Sequence, residues 1–180
     1  MLATIRFSVT MTLKMGMRII LASDHRGLTV RETILEYLQT LPEYVVMLVD
    51  EQSTEGQFSE NGDYPDIAAK VARMVASGAA DRGILICGTG IGTCVVANKF
   101  PGIRAAPCHN EVIAELSRKH NDSNILCLSG DLLGERSSVA IVAAWLTAQF
   151  EGGRHSDRLE KIQQLEKKNC VCVFGDSSSP

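Results

Sequence analysis

Short apolar segments alternate with segments of helical periodicity along most of this chain, and this alternation constrains the fold more than any other feature. Five segments have the apolar character of buried strands, and they cover residues 18–22, 44–49, 83–87, 103–107 and 124–129. Helical patterns occupy residues 28–38, 67–77, 93–100, 111–119, 137–150 and 154–168. Strands that alternate with helices in this way pair in parallel, with the helices covering both faces of the sheet.

The predicted architecture is therefore an α/β, Rossmann-like three-layer sandwich with about five parallel strands. A polar stretch at residues 51–63 reads as a long loop before the second helix. Residues 1–17 are Met-rich and contain no acid, which only weakly resembles a transit peptide. We interpret them as a disordered or alternatively initiated extension, followed by one domain at residues 18–168 and a frayed tail at 169–180.

The composition of the chain indicates which kinds of partner are not favoured and in which cellular compartment the protein works. The net charge is −3 and aromatic residues make up 5% of the chain, which does not favour a nucleic-acid surface. No window approaches the length of an apolar membrane helix. The six cysteines form no CxxC pair, a pattern typical of reduced thiols in a cytoplasmic protein.

Polar motifs follow three of the predicted strands. Asp24 and His25 come after the first strand, Cys87 and a glycine loop end the third, and Cys108 and His109 follow the fourth. The carboxyl ends of parallel strands meet at one edge of a sheet, where ligands of such folds bind. The sequence therefore predicts a binding site at this edge.

The segment CGTGIG, residues 87–92, is the strongest candidate for chemistry. It lacks the lysine of a phosphate-binding P-loop, and its GxGxG pattern is a poor match to the dinucleotide fingerprint. Its glycines, Gly88, Gly90 and Gly92, would let backbone amides approach a small oxyanion and favour the thiolate form of a neighbouring cysteine. A buried core thiol is the alternative for Cys87, and we prefer it for Cys94, Cys108 and Cys127.

For the other polar residues, the sequence allows both a structural role and a binding role. Asp24 could cap a helix or bind a sugar hydroxyl, and His25 could be a surface residue or a phosphate ligand. His120 and Asn121 could close a helix, with Asn121 in the left-handed conformation. Arg154 and Arg158 lie one helical turn apart and could clamp a phosphate or form a solvated charged face.

Taken together, several ordered motifs resemble the type B ribose-5-phosphate isomerases, a family that also includes galactose-6-phosphate isomerase subunits. The resemblance covers residues 18–167. It is carried by SDHRG (23–27), DYPDIA (63–68), GILICGTGIG (83–92), ANKFPGIRA (97–105), LSRKHND (116–122) and AWLTAQFEGGRH (144–155).

This resemblance implies interconversion of ribose 5-phosphate and ribulose 5-phosphate through a cis-enediol, in the pentose phosphate pathway, without metal or organic cofactor. It implies three catalytic residues: Cys87 as the base, Thr89 as a proton shuttle and His120 as the group that opens the sugar ring. The implied binding residues are Asp24 and Asn121 for hydroxyls, the loop amides of Gly88, Gly90 and Gly92 for the enediolate, and His25, Arg154 and Arg158 for phosphate. It also implies a homodimer or tetramer with shared active sites, in which the C-terminal helix packs on the partner.

Two departures from the family pattern affect these expectations. The family usually has an arginine after the fifth strand, where it helps to bind phosphate, whereas this chain has Asp131. Either Asp131 points away or a neighbour such as Arg136 substitutes. Residues 50–52 also differ from the usual Asp-x-Gly. Two alternatives therefore stand beside the pentose isomerase: an isomerase of allose 6-phosphate or galactose 6-phosphate, and a non-catalytic sugar-phosphate-binding module.

Overall fold

A computed structural model describes residues 16–49 and 63–174, with side chains up to residue 169. Its elements follow in the order β1(Met17–Ser23), α1(Leu28–Gln39), β2(Tyr44–Val49), α2(Tyr64–Ala76), β3(Arg82–Cys87), α3(Ile91–Ala97), β4(Ala105–Pro107), α4(Glu111–Asn121), β5(Ile125–Ser129), α5(Glu135–Thr147) and α6(Arg154–Phe174). Three parts of the chain lie outside the described residues: most of the proposed N-terminal extension, residues 50–62, which include most of the polar loop, and residues 175–180.

The five described strands form one parallel sheet in the order β2-β1-β3-β5-β4. The predicted α/β architecture is confirmed. The connection from β2 to β3 crosses over β1, so the chain reverses its direction of winding between β1 and β3. In open sheets of this kind the crevice at the carboxyl ends of two such strands is the usual place for a ligand.

Helices cover both faces of the sheet, and each face has its own apolar core. Residues of β1, β3 and β5 alternate between the faces, as the two-residue period of a strand requires. On one side they pack against α1, α4 and α5 around the fully buried Trp145. On the other side they pack against α2 and α3. Cys87 falls on the second side by this alternation, which directs its side chain toward α3.

Several element ends differ from the prediction for local reasons. Helix α3 begins two residues early, at Ile91, because Gly90 adopts a left-handed conformation (φ 76°) and starts the helix. Helix α4 continues through His120 and Asn121, and the left-handed residue is Asp122 (φ 46°). The assignment of that conformation to Asn121 was therefore wrong. Helix α6 runs six residues beyond the predicted end at Lys168, into the proposed tail. Among the described helices, none combines the length and apolar character needed to cross a bilayer.

Candidate active site

Cys87 ends β3 in a buried position beside the glycine loop. Its Sγ accepts a hydrogen bond from the backbone N–H of Gly90 at 3.2 Å. The hydroxyl of Thr93 lies 3.5 Å from the same sulfur and also donates to the carbonyl of Gly90 at 3.1 Å. The Gly90 N–H can therefore stabilise a thiolate, whereas the Thr93 hydroxyl, whose single proton goes to the Gly90 carbonyl, can accept a hydrogen bond from the neutral thiol.

The glycine loop is fixed by close backbone packing. A Cβ on Gly90 would lie 3.0 Å from the backbone carbonyl carbon of Leu128, so this position needs glycine for space as well as for its positive φ. Thr89 is exposed, and its hydroxyl accepts the N–H of Ile91 at 3.3 Å. Gly92 lies in the first turn of α3 against the ring of Tyr64.

The segment after β5 holds the other side of this loop. The buried hydroxyl of Ser129 donates to the carbonyl of Gly88 at 2.6 Å and accepts the N–H of Leu132 at 2.9 Å. The N–H of Gly130 donates to the carbonyl of Cys87 at 2.8 Å. Two of these hydrogen bonds, and a third from the N–H of Asp131 to the carbonyl of Gly88 at 3.1 Å, tie the loop that carries Cys87 to the end of β5.

The end of β1 brings a carboxylate and two basic side chains to the same edge. Asp24 is buried, and its Oδ1 accepts the backbone N–H of Arg26 at 2.9 Å. It does not cap α1, which begins after Gly27 without a side-chain cap. The helix-cap alternative for Asp24 is therefore excluded. His25 is exposed beside it.

Asp131 is paired with a basic side chain, a contact that neither of the two expectations for this residue included. Its carboxylate accepts two hydrogen bonds from the Arg26 guanidinium, one from Nε at 3.2 Å and one from Nη2. The acid is thus neutralised by a basic residue from the end of β1. Arg136 lines a cleft of about 600 Å³ together with Gly130 and residues at the start of α1.

A second group of polar side chains gathers where the end of α4 meets the start of α6. The rings of His120 and His155 stack in parallel, with centroids 4.3 Å apart. Burial lowers the pKa of His155, and the nearby His120, Arg154 and Arg158 lower it further. Glu151 Oε2 lies 3.8 Å from His120 Nε2 and 4.0 Å from His155 Nε2.

His120, Glu151 and His155 are also the described residues whose donor atoms lie close enough together for a metal ion. Zinc binds imidazole nitrogen at about 2.0–2.1 Å with the lone pair directed at the ion. Because the two rings lie only 4° from parallel, their in-plane lone pairs do not converge. A shared ion would require at least one ring to tilt.

These two groups lie at opposite edges of the sheet within one chain. Helix α4 starts after the carboxyl end of β4 and ends before the amino end of β5. His120 and Asn121, in its last turn, are therefore separated from Cys87 by the length of a strand, about 16 Å for five residues. The structure gathers Asp24, His25 and the glycine loop in one place, and His120, Asn121, Arg154 and Arg158 in another.

Sequence reasoning missed four residues of these groups: Arg26, Thr93, Ser129 and Glu151. Ser129 could have been found, because it ends a predicted strand at the same edge as Cys87. Arg26 belongs to the SDHRG motif and Glu151 to the AWLTAQFEGGRH motif. Their side-chain partners are Asp131 for Arg26, and His120 and His155 for Glu151, all of which lie on other segments of the chain. Thr93 contacts Cys87 because the chain turns at the left-handed Gly90 and places the first turn of α3 beside the end of β3.

A scan against family models matches residues 19–162 to the ribose/galactose isomerases. A putative sugar phosphate isomerase of Bacillus subtilis is 45% identical over 154 residues, which cover 85% of this chain and 99% of the relative. Ribose-5-phosphate isomerase B of Escherichia coli is 43% identical over 151 residues, covering 84% and 97%.

Solved structures agree with these relatives. Ribose-5-phosphate isomerase B of Clostridium thermocellum superposes with a TM-score of 0.76 at 45% identity, covering 85% of this chain and 99% of the other. The enzyme of Mycoplasma genitalium, solved with bound ribulose 5-phosphate, gives 0.76 at 42% identity, covering 86% and 99%. The strand–cysteine–glycine loop, the parallel sheet around it and these matches lead to one conclusion: the chain is an enzyme of the ribose/galactose isomerase family.

Proposed function

We propose that this enzyme interconverts ribose 5-phosphate and ribulose 5-phosphate, with Cys87 as the catalytic base. The observation that carries the proposal is the environment of the sulfur, which is buried at the crevice of the sheet and accepts the N–H of Gly90. Several relatives named as ribose-5-phosphate isomerases support the choice of sugar, as does the bound ribulose 5-phosphate of the Mycoplasma enzyme.

In the proposed reaction the Cys87 thiolate removes the proton from C2 of the open-chain aldose and leaves a cis-enediolate. The same sulfur returns this proton to C1, while the hydroxyl proton moves from O2 to O1. Thr89, on the exposed side of the loop, is the proposed shuttle for that second proton. A positioned base that transfers protons in this way contributes about 10²- to 10⁴-fold to a rate.

The geometry refines the proposed oxyanion site. The N–H of Gly90 is used by the Cys87 sulfur, so it stabilises the thiolate before the enediolate forms. The N–H of Gly92 belongs to the first turn of α3, where backbone donors have no partner within the helix. We assign the enediolate oxygen to such loop amides, with Gly88 held in place by Ser129.

The remaining proposed roles require a second copy of the chain. His120 for ring opening, Asn121 for a sugar hydroxyl, and Arg154 and Arg158 for phosphate lie at the edge opposite Cys87. A two-fold axis can place this edge of one subunit beside the carboxyl edge of its partner. The outer surfaces of α3, α4 and α6 offer apolar residues for such contact: Ile91, Val95, Val112, Ile113, Leu116, Ile162 and Leu165.

A cytoplasmic location and a role in pentose phosphate metabolism belong to the same proposal. The four described cysteines with resolved side chains are all free thiols, which is consistent with a reducing compartment.

The decisive experiment is a substrate panel assayed with wild type, Cys87→Ala and Cys108→Ala. We expect wild type to prefer ribose 5-phosphate, and Cys87→Ala to lose about 10²- to 10⁴-fold in kcat/KM without loss of folding. Cys108→Ala is the matched control, since Cys108 is also a buried thiol and lies just beyond the end of β4. Full activity of Cys87→Ala would remove Cys87 as the base.

The panel also separates the alternatives. It includes allose 6-phosphate, galactose 6-phosphate and D-erythrulose 4-phosphate, because a relative 39% identical is named D-erythrulose-4-phosphate isomerase. A clear preference for one of these would reassign the substrate. Thermal stabilisation by phosphosugars without turnover would indicate a binding module.

A further inference from the structure

Arg26 is held over the catalytic loop by contacts at both ends of its side chain. Its backbone N–H donates to the buried Asp24, and the carbonyl of Arg26 lies against Gly130, where a Cβ would come within 2.4 Å of the oxygen. Its guanidinium lies against Gly88, where a Cβ would come within 2.9 Å of Cζ. Arg26 therefore spans from the end of β1 to the loop that immediately follows Cys87.

The N–H donors of this guanidinium face two sides: Nε and Nη2 face Asp131, and Nη1 faces Gly88. Nε and Nη2 bind the carboxylate of Asp131 in a paired, fork-like arrangement. Nη1 lies 3.0 Å from the position that a Cβ of Gly88 would take and has no hydrogen-bond acceptor among the described residues. The side chain of Arg26 is 54% exposed, so a ligand at this edge can reach Nη1.

We propose that Arg26 binds the phosphate group of the substrate through this free edge, and that Asp131 orients Arg26 and weakens the binding. The inference rests on the proposed function, and it adds both a binding residue and a modulating acid to that site. A guanidinium suits a phosphate because its N–H groups match the spacing of phosphate oxygens. The neighbouring His25 gives the same edge a second basic group.

Asp131 has two opposing effects in this arrangement. Its two oxygens fix the plane of the guanidinium, so little side-chain freedom is lost when phosphate binds. Its negative charge repels the incoming dianion and offsets the charge of Arg26. An asparagine at residue 131 would keep an acceptor for Arg26 and remove the repulsion.

The first test compares Arg26→Met and Arg26→Lys with wild type, using steady-state kinetics on ribose 5-phosphate. We expect Arg26→Met to raise KM about 10- to 100-fold, the value of one charge-assisted hydrogen bond, with kcat changed by less than about threefold. Arg26→Lys should recover part of the loss, because it restores the charge without the fork. An unchanged KM in Arg26→Met would overturn the proposal, as would a loss confined to kcat and thermal stability.

The second test uses inorganic phosphate as the probe and measures its dissociation constant by calorimetry. Arg26→Met should weaken phosphate binding, whereas Asp131→Asn should strengthen it by about two- to tenfold. Arg136→Met is the matched control and should bind phosphate as wild type does, since the proposal assigns the phosphate to Arg26, and Arg136 lines the cleft beside Gly130 instead. Weaker binding in Asp131→Asn, or an equal loss in Arg136→Met, would contradict the assignment.

These measurements test the proposed function and the role of Arg26 separately. If wild type isomerises no phosphosugar, the proposed function fails, while a loss of phosphate affinity in Arg26→Met still supports this site. If wild type isomerises ribose 5-phosphate but Arg26→Met keeps full phosphate affinity, the function stands and the role of Arg26 fails.

Discussion

The described thiols differ in what surrounds the sulfur more than in how deeply they are buried. Burial raises the pKa of Cys108 to about 11, and burial also raises the pKa of Cys127 well above its usual value. Both thiols remain protonated at neutral pH. Cys87 is also buried, but it accepts a backbone N–H and faces the Thr93 hydroxyl. These contacts support the proposal that Cys87, which the sequence places after a strand and before a glycine loop, is the catalytic base.

Gly90 offers a direct test of how the loop shape serves the sulfur. Gly90→Ala places a Cβ 3.0 Å from the backbone of Leu128 at a φ of 76°, so both strain and a clash act on the amide that contacts Cys87. We expect a loss of about 1–2 kcal/mol from the left-handed conformation, a further loss from the clash, and a fall in kcat. Urea unfolding and steady-state kinetics measure both effects.

The control for this variant is Gly102→Ala. Gly102 has nearly the same φ, 78°, but a Cβ there meets nothing within 4 Å. It should show the conformational loss alone, with kcat unchanged. Equal destabilisation and full activity in both variants would show that the approach of Gly90 to Leu128 has no catalytic consequence.

At the scale of elements, the contact between α4 and α6 brings His120 and His155 together, and we expect this contact to make the stability of the fold sensitive to acid. The pKa of His155 is lowered in the folded protein, first by burial and then by His120, Arg154 and Arg158, while Glu151 opposes the shift. The unfolded chain therefore binds a proton at a higher pH than the folded chain does. Stability should fall as the pH drops below about 6.5, the usual histidine value.

His155→Gln should reduce this acid sensitivity, because the variant has no imidazole to protonate at that position. The measurement is the midpoint of urea unfolding at pH 7.5 and pH 5.5 for wild type and the variant. His109→Gln, which leaves the stacked pair intact, should keep the wild-type difference. An acid-induced loss of the same size in His155→Gln would assign the sensitivity to other groups.

The elements also show what the sequence could predict. Apolar runs and helical periodicity placed every described strand and helix, because both are local consequences of burial. The ends were less predictable, since the start of α3 depends on how Gly90 packs against Leu128, a residue 38 positions away. The contacts of Arg26 with Asp131 and of Glu151 with two histidines arise from tertiary packing, and no spacing in the sequence encodes them.

At the scale of the whole molecule, one chain carries all of the proposed catalytic and binding residues, but they lie at two opposite edges of its sheet. The carboxyl edge has the proposed base and its loop, and the opposite edge has the proposed ring-opening histidine and two arginines. A small sugar phosphate cannot contact both edges of one chain across about 16 Å of sheet. Two copies related by a two-fold axis would form two equivalent sites, each taking one edge from each copy.

Mixing two inactive variants tests this arrangement. Cys87→Ala and His120→Ala each damage both sites of a homodimer, but a mixed dimer has one doubly damaged site and one intact site. Random reassortment makes half of the dimers mixed, so activity should return to about a quarter of the wild-type value. The assay follows ribose 5-phosphate turnover after subunit exchange under mild denaturant.

The control mixes Cys87→Ala with Thr89→Ala, two changes on the same loop and therefore at the same edge. Here no mixed dimer contains an intact site, so no activity should return beyond the sum of the two variants alone. Recovery in this control, or a lack of recovery in the first mixture when exchange is verified by mass spectrometry, would contradict a site shared between subunits. Recovery in the first mixture alone would assign Cys87 and His120 to different copies within one site.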